Sequence, residues 1–115
     1  MKRSIKSKQR QVRMINLIAN AAGTALTGLD ASDPNISMTD TNTGIKTIEL
    51  GASGFASADY IVQVTCATAD CIVDSVAITD ANTFVITTVD ATDGTTDKDS
   101  IVHITVFGSD VTDRY

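Results

Sequence analysis

Asp90, Asp93, Asp97 and Asp99 surround Gly94 in the pattern D-x-x-D-G-x-x-D-x-D, and His103, the chain's single histidine, follows closely. Carboxylates on a flexible loop are the ligand type that calcium takes. The spacing does not follow the EF-hand loop, in which ligands fall at alternate positions and a Glu closes the site. The alternative is a solvated hairpin loop, with Asp capping turns and Gly94 supplying a positive φ. His103 stands between Val102 and Ile104, a mid-strand position with no serine or cysteine nucleophile assigned to it. Cys66 and Cys71 enclose "ATAD", without a second pair or a nearby histidine, so zinc is not expected. They read as two small buried apolar residues, with a disulfide across a hairpin as the other possibility. No glycine-rich phosphate loop, Rossmann fingerprint or metalloprotease pattern is present. The expectation is a protein with no catalytic residues, no cofactor and no metal: not an enzyme.

These residues sit in a chain built for strands. The 115 residues suffice for one domain with one core. There is no Trp, one Pro and one Glu, while Thr, Val, Ile, Ala and Asp dominate. Side chains branched at Cβ suit a pleated surface, and Asp collects in turns. From Asn35 onward the apolar period is two. Ile36 and Met38 alternate first, then Ile45 and Thr47 against Lys46 and Ile48. Tyr60, Val62, Val64 and Cys66 oppose Ile61, Gln63 and Thr65, and Ile72, Asp74, Val76 and Ile78 oppose Val73, Ser75 and Ala77. Phe84 and Ile86 share a face, as do Val102, Ile104 and Val106, with Ile101, His103, Thr105 and Phe107 on the reverse. The expected fold is all-β, an antiparallel β-sandwich or small β-barrel of about six to eight strands. Turns at Ala67–Asp70, Asp80–Asn82 and the acidic loop make an antiparallel meander the simplest order for the last four. Apolar residues on both faces of several strands exceed what one core needs, which predicts a homo-oligomer, expected to be a trimer.

Charge divides the chain differently. The net charge is −5, yet residues 1–13 hold Lys2, Arg3, Lys6, Lys8, Arg10 and Arg13 without an acid. The rest carries three basic against fourteen acidic groups. Val12 to Leu26 is compatible with a helix, with Met14, Ile15, Leu17 and Ile18 on one broad face, although it lacks a clear N-cap. "LDASDPN" (Leu29–Asn35) is dense in turn formers. The division predicted is a basic, extended or partly helical N-terminal arm over 1–28 and a β-sandwich domain over 29–115. The arm residues expected to bind a partner are Lys2, Arg3, Lys6, Lys8, Arg10, Arg13, Ile15, Leu17 and Ile18. Nucleic acid is a weak candidate, because no aromatic side chains interleave the charges. No run of about 18 apolar residues exists for a membrane-spanning helix, and no membrane partner is expected. The basic start followed by Met14–Leu26 imitates an export signal, against which Asn16 and Asn20 interrupt the apolar run.

"FASADYIVQVTC", "ITDANTFVITTVDA" and the closing "DSIVHITVFG" follow one another between Gly44 and Gly108. In that order the chain resembles a recurrent β-sandwich module of tailed-bacteriophage virion proteins, found in capsid decoration (cement) proteins and small fibre or tail-appendage domains. The resemblance covers a little over half the chain and rests on a strand pattern. It implies a structural protein of the virion, on capsid surface or tail, made in the host cytoplasm. Its partners would be further copies of itself and the major capsid protein or another virion protein. A decoration protein stabilising the outer shell is the expected role. A small tail-fibre or receptor-binding module, or an exported bacterial surface protein, are the alternatives.

Overall fold

The computed structural model describes residues 12–109, and these form an all-β sandwich of two four-stranded antiparallel sheets without an α-helix. The strands are β1 (Val12–Ala19), β2 (Leu26–Thr27), β3 (Ser37–Asn42), β4 (Ile45–Glu49), β5 (Ile61–Cys66), β6 (Cys71–Asp80), β7 (Thr83–Asp90) and β8 (Val102–Ser109). The first sheet runs β2-β1-β8-β5 and the second β3-β4-β7-β6. Among the described residues one 3-10 turn, Gly51–Ser53, sits between β4 and β5.

Period-two patterning accounts for most of this. Val102, Ile104 and Val106 are buried while His103 is exposed, and Phe84 and Ile86 have no exposed surface. These residues meet Ile15, Leu17, Ile48 and Leu50 between the sheets. At one end of the core Phe55 stacks on Tyr60, ring centroids 5.0 Å apart, and Tyr60 packs edge-on against Phe84 at 6.3 Å. The buried Tyr60 hydroxyl lies within donating distance of the carbonyls of Asp80 (2.8 Å) and Thr83 (3.0 Å), tying the β6–β7 turn to the core. Burial, with the Asp80 charge adding to it, pushes this phenol up to about 12. Gly108 permits the arrangement: a Cβ there would lie 2.3 Å from a Phe55 ring carbon.

Three expectations need correction. Val12–Ala19 is neither helical nor an arm apart from the body. It is a strand paired with β8 along its whole length, from Val12↔Ser109 to Ala19↔Val102. Leu26–Thr27 pairs with its far end, so residues 12–27 belong to the sandwich and its boundary does not fall at 28. Ile15, Leu17 and Ala19 are buried while Val12 and Met14 are exposed, a period of two that only β8 alongside reveals. A short run without an N-cap gains more from this ladder than from an isolated helix.

Nor do the last four strands form a meander. β6 pairs with β7 as a hairpin, but β5 pairs with β8, and the connections β5–β6 and β7–β8 cross between sheets. Asp70, at φ 62°, makes the first crossing, a conformation that Asp tolerates better than most residues. Alternation within a strand says which face is apolar, not whether the next turn returns alongside or crosses to the opposite sheet.

In β6 a register shift between Val73 and Ser75 breaks the alternation expected for Ile72, Asp74, Val76 and Ile78. Ile72 is 45% exposed and Asp74 exposed, while Val76 and Ile78 pack on the core. A bulge inserts one residue and moves the charge outward.

Candidate functional site

The acidic loop is held by its own aspartates. Asp93 Oδ1 accepts from the backbone N–H groups of Thr95 (2.9 Å) and Thr96 (3.0 Å), and the Thr96 hydroxyl donates to Oδ2. Those bonds, the Thr96 hydroxyl foremost, hold the Asp93 carboxyl down at about 2. Asp90 Oδ1 accepts from Thr92 N–H at 2.8 Å, and Asp99 Oδ1 accepts from Gly44 N–H at 2.7 Å. Asp97 pairs with Val89 as an isolated bridge. Gly94 adopts φ +72°, as its turn requires. The carboxylates of Asp90, Asp93 and Asp99 thus accept from separate backbone donors, and among the described residues no three His, Cys, Asp or Glu side chains are placed to share a metal ion. Because β7 and β8 lie in different sheets, this loop is a crossover and not a hairpin loop. Both cysteines are free thiols, Cys71 buried and Cys66 half-buried.

His103 faces outward from β8, on the side of the first sheet away from the core. It borders a shallow groove of about 210 Å³ beside Ile18, Gly28, Leu29 and Thr105. A second, polar hollow of about 280 Å³ is lined by Asn35, Ser37, Glu49, Gly51, Asn82 and Thr83.

The residues assigned to partner binding divide into three groups. Lys2, Arg3, Lys6, Lys8 and Arg10 lie outside the described residues. Ile15 and Leu17 are 3% and 1% exposed and fill this chain's own core, so they do not reach a partner. Ile18, half-buried, faces the groove. Arg13 is put to intramolecular use as well. Its guanidinium donates to the carbonyls of Ser53 and Gly54, both at 2.7 Å, and lies 4.6 Å from the centroid of the Phe55 ring. Ser53 in turn donates its hydroxyl to Asp33. That bond, the Asn35 backbone and the nearby Arg13 charge lower the Asp33 carboxyl below its ordinary range. Arg13 therefore clamps the 3-10 turn to β1.

Part of the exposed surface is apolar. Register aligns Met14, Phe107 and Ile61 as one row across the outside of the first sheet. Met14 is 51% and Ile61 60% exposed, and Val12, at the end of β1, is 71% exposed. Below that row Asn16, Thr105 and Gln63 form a polar one, with Thr105 Oγ1 bonding Asn16 Oδ1 at 3.3 Å. Two-sided apolarity in the sequence signalled such a surface, but which residues compose it required the pairing of β1, β8 and β5. No protein-family model, curated protein or solved structure matches the chain.

Proposed function

We propose that this chain is a structural subunit of a tailed-bacteriophage virion, a decoration protein that binds the outer capsid shell and reinforces it. The observation carrying this reading is the exposed row Met14–Phe107–Ile61 with Val12 beside it, at the point where the basic residues 1–11 join the body. Apolar area supplies adhesion, at roughly 25 cal/mol per Å² removed from water. Five positive charges without an acid, in residues 1–11, add attraction to an acidic shell and to the chain's own acidic body in neighbouring copies. The trimer belongs to this reading, as the assembly that the resemblance implies.

The test compares the full chain with one lacking residues 1–11 for binding to capsids stripped of this protein. The cut stops before Arg13, so the clamp on the 3-10 turn is kept. Full-length protein should bind and lose affinity as salt rises, and the truncated protein should bind more weakly at physiological salt. Undiminished binding by the truncated protein would sink the arm's role. Electron microscopy of the particle separates head from tail: many copies at local threefold axes fit decoration, and a few at one vertex fit an appendage. The appendage reading draws on the polar hollow, whose amides, hydroxyls and Glu49 suit the hydroxyl groups of a host glycan.

A further inference from the structure

We propose that β5 is a self-docking edge: two copies pair antiparallel through Ile61–Cys66 across a twofold axis at Gln63, joining their first sheets into one continuous sheet. The contact needs only a second copy and does not depend on which particle carries the chain.

A sandwich of two open sheets has four edge strands, and exposed edges are ordinarily blunted by charge, bulges or cover. Three are blunted here. β3 carries Asp40 and a register shift between Asp40 and Asn42. β6 carries Asp74 and Asp80 and has two register shifts. The edge of the first sheet opposite β5 is β2, only two residues long, and beyond it Asp30 closes on β1: Asn16 N–H donates to Asp30 Oδ2 at 2.7 Å and Asp30 N–H to Asn16 O at 3.1 Å. The fourth edge, β5, has none of these devices. Its sequence IVQVTC contains no charge and no proline, and its register against β8 is unbroken.

The direction of its free groups follows from the ladder. Ala67 N–H donates to Ile101 O at 2.8 Å, continuing the register in which Cys66 faces Val102. Hydrogen bonding alternates along an antiparallel strand, so Thr65, Gln63 and Ile61 turn their main-chain groups to β8. Val62, Val64 and Cys66 turn theirs outward, where no described strand lies alongside.

A second copy fits this edge by its chemistry. Antiparallel pairing about Gln63 sets Val62 against Val64 on the core side, each such pair exchanging two main-chain hydrogen bonds. On the outer side it sets Ile61 against Thr65 and Gln63 against its own copy. No like charges oppose, although the body of the chain is strongly acidic. An edge without charge offers nothing to a charged peptide, and among the described residues β5 is the one uncharged edge strand longer than two residues. Pairing also sets the row Met14–Phe107–Ile61 in line with Thr65, His103 and Ile18 of the neighbouring copy. A twofold contact is compatible with a threefold assembly, since it can join one trimer to the next.

The test uses the full chain with Gln63→Lys and Gln63→Glu, at an exposed position that does not touch the core. Sedimentation from micromolar to near-millimolar protein reads self-association, and hydrogen exchange reads the amides of Val62 and Val64. The wild type should associate, with Val62 and Val64 exchange slowing as concentration rises. Each variant should weaken association about two- to fivefold, because like charges then face each other across the axis. An equimolar mixture of the two should recover wild-type association or exceed it. Gln63→Lys also lowers the net negative charge, which by itself favours association, so weakening reports the local opposition. A wild type that stays monomeric, Val62 and Val64 exchange independent of concentration, or variants that associate like the wild type would each overturn the proposal.

Discussion

Replacing Arg13 by Ala should cost the fold about 2–4 kcal/mol, because the guanidinium joins β1 to the turn before β5. Two bonds at 2.7 Å run from a charged donor to the Ser53 and Gly54 carbonyls. A hydrogen bond involving a charged group contributes about 1.5–3 kcal/mol, and the lower end applies because the site is only part-buried and water can replace the lost donor. The contact with the Phe55 ring adds about 0.5–1 kcal/mol. Against a domain stability of about 5–15 kcal/mol the loss is large. Urea unfolding of the full chain measures it as a fall in the midpoint, about 1–2 M for a slope near 2 kcal/mol/M. Arg13→Lys separates charge from geometry, since an ammonium cannot present the planar fork to two carbonyls and should recover less than half of the loss. Amide exchange at Gly54, whose N–H donates to Gly51 O at 3.1 Å, should accelerate in Arg13→Ala. A midpoint within error of wild type, or full recovery with Lys, would refute the clamp and return Arg13 to the arm.

Lys46 lies on the core side of β4 opposite Ile86, is 1% exposed, and has no hydrogen-bond or ion-pair partner among the described residues. Lys46→Met keeps the stem and removes the ammonium, so stability should rise by about 1–2 kcal/mol in urea unfolding. Gly108→Ala should lower stability by about 1–3 kcal/mol and alter the near-ultraviolet dichroism of Tyr60, because the added Cβ meets a ring that is packed on its other side. Raising pH should unfold the protein through Tyr60. Its folded value of about 12 exceeds the unfolded value near 10, so its contribution is complete below about pH 10 and is lost as pH rises toward 12. Tyr60→Phe should flatten that alkaline fall in a pH series of unfolding midpoints.

Strand identity was legible wherever small, branched residues alternate with polar ones: β3 to β8 all fall on stretches with that period. β1 was not. Met14, Ile15, Leu17 and Ile18 form a cluster that suits one helix face as well as two strand faces, and β8, which decides between them, lies far along the chain. Arg13 illustrates the same limit for the candidate site. Among six basic residues it is indistinguishable by type, and its role depends on carbonyls forty residues away. The acidic loop was read correctly as a capped turn at Gly94 and incorrectly as a hairpin, because Asp and Gly report local dihedral angles and not the sheet that the next strand enters. The free edge of β5 could not be foreseen at all, since being outermost is a property of the sheet.

The ladder between β1 and β8 has a mechanical consequence. Val12 and Ser109 are paired neighbours, so the two ends of the described chain leave the body side by side. Tension applied between them would open the ladder like a zipper, one pair at a time. Tension applied to residues 1–11 along the axis of β1, with the body held, would instead load the bonds of all the registered pairs together. Held by residues 1–11 alone, the body would thus resist a pull along β1 far better than a pull that parts its two ends.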